Sequence, residues 1–434
     1  MEREMKKQPN ILFILSDDQG PWAMGCAGNH EIRTPNLDRL AAEGVRCENM
    51  FCASPVCSPA RASIATGRMP SAHGVLDWLR AGDTTKAWEP DGRGEQIEYL
   101  EGMPAYTDYL AGAGYVCGLS GKWHLGACHQ PQKSFTYWRA HAKGGGAYFG
   151  APMVSGDEVI QPEAYVTDHI TDNALEFLDQ HGDCESPFYL GVHYTAPHSP
   201  WGRDHHPHET WDDYLANCPF ESVPQIPHHP WVGNSLWPDN AQQRREMLAG
   251  YYTAVTEMDR NIGRLLKWLD DHHQLENTLV VFTSDNGMNM GHHGLYGKGN
   301  ASFPQNMYEE SVKVPMLVRY PEVIPSGSVC HSLLSHCDLF PTLLKMAGLE
   351  LPLPDYCMGQ NLLPVLRGEQ TEVREDLAIQ SEYGPVRMIR TPDWKYVHRY
   401  PYGPHELYDL RQDPGEVFNL AGRDDCQERV VEMR

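Results

Sequence analysis

Chemistry is most legible around Cys57, in the run Cys57-Ser58-Pro59-Ala60-Arg61-Ala62-Ser63-Ile64-Ala65-Thr66-Gly67-Arg68. Pro59 suits the first turn of a helix and Gly67 its end, so the spacing sets Cys57 at a helix N-terminus, where unpaired backbone N–H groups favour an anion. Two acidic runs accompany it, Asp17-Asp18 and Thr283-Ser284-Asp285-Asn286-Gly287. Taken singly, an Asp-Asp pair serves as a helix cap or a solvated turn, and Asp-Asn-Gly as a tight turn. Cys52, five residues before Cys57, lacks the same setting, because Ser54 stands where Cys57 has its proline.

The elements that must position these residues follow an α/β rhythm. Asn10-Ile11-Leu12-Phe13-Ile14-Leu15-Ser16 is a continuous apolar run ending in the acids, which predicts a buried parallel strand. A helix follows, with Thr34 as cap, Pro35 in its first turn, Leu37, Leu40 and Ala41 as the apolar face and Gly44 at the C-cap. Further strands are expected at residues 115–120, 188–194 and 278–283, and helices at 164–181 and 245–271. Polar residues follow each strand at once: Lys122 and His124, then His198, then Asp285 and Asn286. Open α/β sheets bind ligands outside the carboxyl ends of their strands.

After a helix at 338–347 the pattern changes to short runs at 377–381, 386–390 and 394–400, which predict antiparallel hairpins. Pro352, Pro354 and Pro364 mark the junction. The expected organisation is a catalytic α/β domain over 1–350 and a small C-terminal α+β subdomain over 351–434. Residues 199–240, rich in Pro, His and Trp, show neither period and are expected to form a long irregular loop.

The Cys57 run resembles the sulfatase signature, Cys-x-Pro-x-Arg followed by Thr-Gly-Arg, with Ala60 in place of the commoner serine. Four more runs match sulfatase motifs: the two acidic ones, Gly121-Lys122-Trp123-His124-Leu125-Gly126, and Ala196-Pro197-His198-Ser199-Pro200; Lys298 in Gly297-Lys298-Gly299 completes the set. The resemblance implies an alkaline phosphatase-like fold: a large, mainly parallel sheet flanked by helices, with a small C-terminal antiparallel β subdomain. It also implies that a formylglycine-generating enzyme converts Cys57 to Cα-formylglycine, whose hydrated aldehyde attacks the sulfate ester. Asp17, Asp18, Asp285 and Asn286, with residue 57, correspond to the family's metal site. Three carboxylates and an amide oxygen are hard donors, which suit calcium first and magnesium second. Arg61, Lys122 and Lys298 would then stabilise charge on the sulfuryl oxygens. By the same resemblance His124 supports the nucleophile's hydroxyls, and His198 with Lys298 meets sulfate and the departing alkoxide.

Composition narrows the partners. The 434 residues carry 35 basic and 58 acidic side chains, a net charge of −23, which argues against nucleic acid and an anionic membrane surface. An anionic substrate must therefore be drawn in by the local cations. No run approaches the roughly 18 apolar residues of a membrane span, and the polar start through Pro9 is unlike a signal peptide, so the chain as written is expected in the cytoplasm. The twelve cysteines show no Cys-x-x-Cys pair.

Several other features are weighed against the site. His205, His206, His208, His228 and His229 lack the acid or cysteine framework of a second metal site. Trp201, Trp211, Trp231 and Trp237 could stack on a sugar or aryl ring or fill a local cluster. His292 and His293 lie between the metal motif and Lys298, within reach of the pocket, and Gly144-Gly145-Gly146 suggests flexibility. The expected substrate is a sulfated carbohydrate or an aryl sulfate. A phosphate or phosphonate monoester is the alternative, which Asn286, where several relatives have histidine, disfavours. A non-catalytic sulfated-glycan binder with Cys57 unmodified is the third reading.

Overall fold

The computed structural model describes residues 8–79, 97–233, 236–381 and 384–434, so residues 1–7 of the polar start and residues 234–235 of the His/Trp-rich stretch lie outside it. All seven residues of the Asn10–Ser16 strand are buried, as a strand covered on both faces requires. It pairs in parallel with Phe188–His193 on one side and Thr278–Ser284 on the other, inside an eleven-stranded sheet. Val116–Lys122 and Tyr137–His141 extend the parallel array, and Lys313–Arg319 runs antiparallel between Thr278–Ser284 and Val45–Phe51. The expected α/β class with a mainly parallel sheet is the one observed.

Alternation along the first strand distributes its side chains between two cores. Leu12 and Ile14 pack with Ile170 and Phe177 of the Val166–His181 helix and with Met258 and Ile262 of the Ala241–Asp271 helix. Ile11, Phe13 and Leu15 face the other way, toward Ala62 of the Cys57–Thr66 helix, Leu110, and Phe340 of Leu339–Met346. Each such side chain, fully buried, contributes about 1.5–3 kcal/mol.

Downstream, Leu377–Ser381, Val386–Arg390, Trp394–Arg399 and Glu406–Asp409 form a separate antiparallel sheet in that order, the last strand being one the sequence pattern does not announce. Lys395, fully buried, ties this sheet to the rest, lying 2.6 Å from Glu416 and 3.2 Å from Glu309. Among the described residues no helix is long and apolar enough to cross a membrane.

Three local expectations are corrected. Residues 199–240 contain the short turn Arg203–His205 and the helix His208–Asn217. Only Trp211 and Tyr214, three apart, are buried there, against Tyr251 and Tyr252, so the helical period is too sparse to detect. Trp201 and Trp211 are core residues at 4% exposure, which removes them as a stacking platform. Thr34 precedes its helix without capping it; its hydroxyl oxygen instead accepts from the Gly25 N–H at 2.8 Å and its proton goes to Asp38. Gly44 is the C-cap as expected, at φ −141°, and its missing Cβ makes room for the Val318 carbonyl.

Candidate active site

Strand register gathers the polar ends. Ser16 is paired with Ser284, Leu15 and Gly121 both with His193, and Lys122 with His141. The residues that follow therefore emerge along one edge of the sheet. Asp18 turns the chain there at φ 64°, a backbone region that costs a residue with a Cβ and that recurs at functional sites. Facing this edge is the Cys57–Thr66 helix, buried at all ten positions. Val56 precedes it in an extended conformation with no side-chain cap, so the first N–H groups stay open, and Gly67 closes it at φ 68°.

Asp17, Asp18, Asp285 and Cys57 each place one ligand atom within 4.8 Å of all the others. Cys57 Sγ is 3.4 Å from Asp17 Oδ1 and 3.7 Å from Asp18 Oδ1. Asn286 donates from Nδ2 to Asp18 Oδ1 at 2.8 Å and to the Gly287 carbonyl at 3.0 Å. Its Oδ1 is buried with no hydrogen-bond partner among the described residues, an acceptor with lone pairs to spare. That orphaned oxygen and the three carboxylates fit a hard divalent cation.

Three cations meet the three acids. Lys122 Nζ lies 2.6 Å from Asp17, Arg61 Nε 2.8 Å from Asp285, and Lys298 Nζ 2.5 Å from Asp18 and 2.7 Å from Cys57 Sγ. Arg61 Nη1 also donates to the Lys122 carbonyl at 2.8 Å. Burial opposes ionisation of Asp285, but Arg61, Lys122 and Lys298 outweigh it and hold its carboxyl below the usual range; Lys298 does the same for Asp18. Asp17 is raised instead, by burial and by its neighbour Asp285. Burial likewise pushes the Cys57 thiol far up despite Lys122 and Lys298, so the encoded cysteine stays a thiol at neutral pH.

His198 Nε2 stands 3.6 Å from Asp18 Oδ2, and its side chain is 26% exposed, so it borders solvent. Its Nδ1 faces the Ser199 carbonyl at 2.7 Å, an acceptor only, which places a proton on Nδ1. His124 is buried at φ 58°. Its Nε2 donates to the Leu79 carbonyl at 2.7 Å while Nδ1 has no partner among the described residues. Burial and then Lys122 hold this imidazole neutral, well below the ordinary histidine range.

Further residues support the site without any sequence signal. His193 Nδ1 is 3.2 Å from the Lys122 carbonyl and His336 Nε2 3.0 Å from that of Ser284, so each imidazole donates to a strand end. The Tyr251 hydroxyl donates to the Asp18 carbonyl at 3.1 Å and accepts from the Gly20 N–H at 3.0 Å. Their only mark in the sequence is a polar group within an apolar run or helix. His292 and His293 have other engagements: His292 packs on Trp22 at 5.0 Å, and His293 pairs with Glu310 at 2.9 Å and stacks on Tyr308 at 3.7 Å. A buried nest of cations around oxygen donors, open beside His198, can hold an anion and stabilise charge that develops on it.

Comparison with known proteins agrees with this chemistry. The sulfatase family model matches residues 9–349, and that of the N-sulphoglucosamine sulphohydrolase C-terminal region matches 291–434. The chain is 28% identical to an N-acetylglucosamine-6-O-sulfatase of Bacteroides thetaiotaomicron, covering 100% of this chain and 86% of that one. It is also 28% identical to a choline-sulfatase of Rhizobium meliloti, covering 95% and 82%. A protein solved in complex with its substrate D-glucosamine-2-N,6-O-disulfate superposes with a TM-score of 0.81 at 26% identity, over 98% of this chain and 96% of that one. With a catalytic edge of this make-up and a family match over most of its length, the chain belongs to the sulfatase family and is an enzyme that hydrolyses sulfate esters.

Proposed function

We propose that this sulfatase acts on the sulfate ester of a carbohydrate, with Cα-formylglycine at position 57 and a calcium ion held by Asp17, Asp18, Asp285, Asn286 and the modified residue. The observation that carries the reading is Cys57 Sγ set among the carboxylates and Lys298 while burial keeps the thiol protonated. Formylglycine supplies a hydroxyl nucleophile where the encoded thiol is held inactive. Calcium supplies positive charge to the sulfuryl oxygens and offsets the three acids. Asn286 Oδ1 is the oxygen this ion would satisfy.

The chain's own groups divide the remaining work. Arg61 and Lys122 hold Asp285 and Asp17 in place and add to the field that receives a dianionic group. Lys298, touching both Asp18 and residue 57, orients the nucleophile's position. His124, neutral with its proton on Nε2 and Nδ1 open, is set to accept a hydrogen bond from the nucleophile's hydroxyl. His198, at the solvent side, is set to meet the departing alkoxide. Because the whole Cys57–Thr66 helix is buried, a formylglycine-generating enzyme must reach Cys57 before the chain folds. We read residues 1–350 as the catalytic domain and 351–434 as a subdomain anchored on it through Lys395.

The carbohydrate assignment rests on the N-acetylglucosamine-6-O-sulfatase relative and the substrate-bound neighbour; the choline-sulfatase relative supports a small alkyl sulfate as the second reading. Turnover of a sulfated amino sugar, choline sulfate, an aryl sulfate and an aryl phosphate is the test. Sulfated sugar is expected to be the best substrate, and faster aryl phosphate hydrolysis refutes the reading. The peptide carrying Cys57 should be about 18 Da lighter than encoded, and Cys57→Ala should lose turnover. An active preparation in which residue 57 is fully alkylated as a free thiol rules out formylglycine.

A further inference from the structure

The segment after the Tyr137–His141 strand passes over both site histidines. His141, itself buried, starts it with Nδ1 3.0 Å from the Lys143 nitrogen and 2.6 Å from the Lys143 oxygen. Tyr148 ends it: the buried phenol donates to the His198 carbonyl at 2.7 Å, and its ring stacks on Tyr165 at 5.3 Å. Between these anchors the three glycines are not equivalent. A Cβ at Gly144 would land on the His124 imidazole at Nε2, one at Gly145 would stand 3.4 Å from the His198 ring, and one at Gly146 would meet nothing within 4 Å. Gly144 answers a demand set by a side chain and Gly146, at φ 144°, one set by its own backbone, so the reading of this run as mere flexibility fails at both.

Gly144 lies over the face of the His124 ring beside Nε2, the nitrogen that donates to the Leu79 carbonyl. The other nitrogen, Nδ1, is the buried atom without a partner among the described residues. Two backbone pieces, 45 and 20 residues away along the chain, thus hold the ring at its Nε2 end, one at the edge and one on the face, and leave Nδ1 free among the described residues. We propose that Gly144 is a positioning residue of the active site: its bare Cα lets residues 143–148 lie against the face of His124 beside Nε2 and, with the Leu79 carbonyl, fixes the ring with Nδ1 turned to the reacting groups. The inference rests on the sulfatase reading and on the place of His124 in it. Gly144 touches no substrate; it acts through His124.

A double-mutant cycle tests this, with aryl sulfate turnover and thermal melting read for the parent, Gly144→Ala, His124→Ala and the pair. Gly144→Ala should lower kcat at least tenfold with KM within threefold, and should lower the melting temperature. Both losses should vanish in the His124→Ala background, where the ring that the new methyl strikes is gone. Gly145→Ala should change kcat less than threefold. A kcat loss that persists without His124, or a Gly144→Ala enzyme within threefold of the parent, overturns the proposal. Should Gly144→Ala alone yield no folded protein, melting of the double variant and histidine 15N NMR of the parent decide. A restored fold and a neutral His124 protonated on Nε2 are expected, and the other tautomer overturns it. Neither readout needs turnover, so an inactive parent speaks against the proposed function alone.

Discussion

Replacing Lys122 with methionine keeps the stem and removes one charge from a site with no solvent to replace it. The Lys122 side chain has 0% exposure and its Nζ lies 2.6 Å from Asp17 Oδ2. The nearest remaining cation to Asp17 is Arg61, whose Nη2 is 4.0 Å from Oδ1 and whose Nε is already committed to Asp285. Asp17 is raised by burial and Asp285 even with Lys122 present, and losing Lys122 removes the largest opposing charge. Breaking a buried pair by removing one partner costs about 3–5 kcal/mol. At about 1 °C per kcal/mol for a chain of this size, the melting temperature should fall by about 3–6 °C. The backbone contacts of Lys122, to Arg61 and His193, remain. Losing one preorganised charge at the reacting group should lower kcat by about 100- to 1,000-fold. Aryl sulfate turnover followed by phenolate release, with thermal melting on the same preparations, separates the two effects. A variant that melts as expected but keeps kcat within fivefold of the parent would show that Lys122 only neutralises Asp17, and the catalytic part of the reasoning would be refuted.

Other outcomes follow from the same geometry. Asp285→Asn removes the charge that accepts from Arg61 and from the Asp18 N–H, so calcium affinity by titration calorimetry should fall at least tenfold; unchanged affinity excludes Asp285 as a ligand. Chelation of the parent should abolish turnover and lower the melting temperature, and calcium should restore both, since a ligand at about 100 times its Kd stabilises by about 2.7 kcal/mol. Away from the site, burial depresses the pKa of His73 to about 4, with Nδ1 accepting from Val75 N–H and Nε2 3.0 Å from Ser63 Oγ. The unfolded chain therefore takes up this proton below about pH 6.5 and the folded one only near pH 4. Stability should be constant above that window and decline across it as pH falls, by about 3 kcal/mol from this residue at most. Comparing denaturant midpoints at pH 7.5 and 4.5, His73→Gln should lose less on acidification than the parent; an equal loss removes His73 as a cause.

What the sequence by itself determined is whatever depends on neighbouring residues. The apolar run at 10–16 read as a covered strand, Pro59 and Gly67 framed the helix that presents Cys57, and the short C-terminal runs read as hairpins. The residue types of the site, hard oxygens and fixed cations, were likewise legible, because their chemistry belongs to the side chain. The helix His208–Asn217 was not, since only two of its residues reach the core, and Thr34 found Gly25 and Asp38 in place of its own helix end. Only the tertiary structure decided what brings distant backbone to a side chain. Register set Ser16 beside Ser284, and with them Asp17 beside Asp285; the Leu79 carbonyl and the bare Gly144 closed on His124; His193 and His336 took up strand-end carbonyls. A carbonyl has no residue identity and a missing Cβ matters only against the atom that would strike it. The reactive groups were therefore visible in one dimension, while the grip that aims them exists only in three.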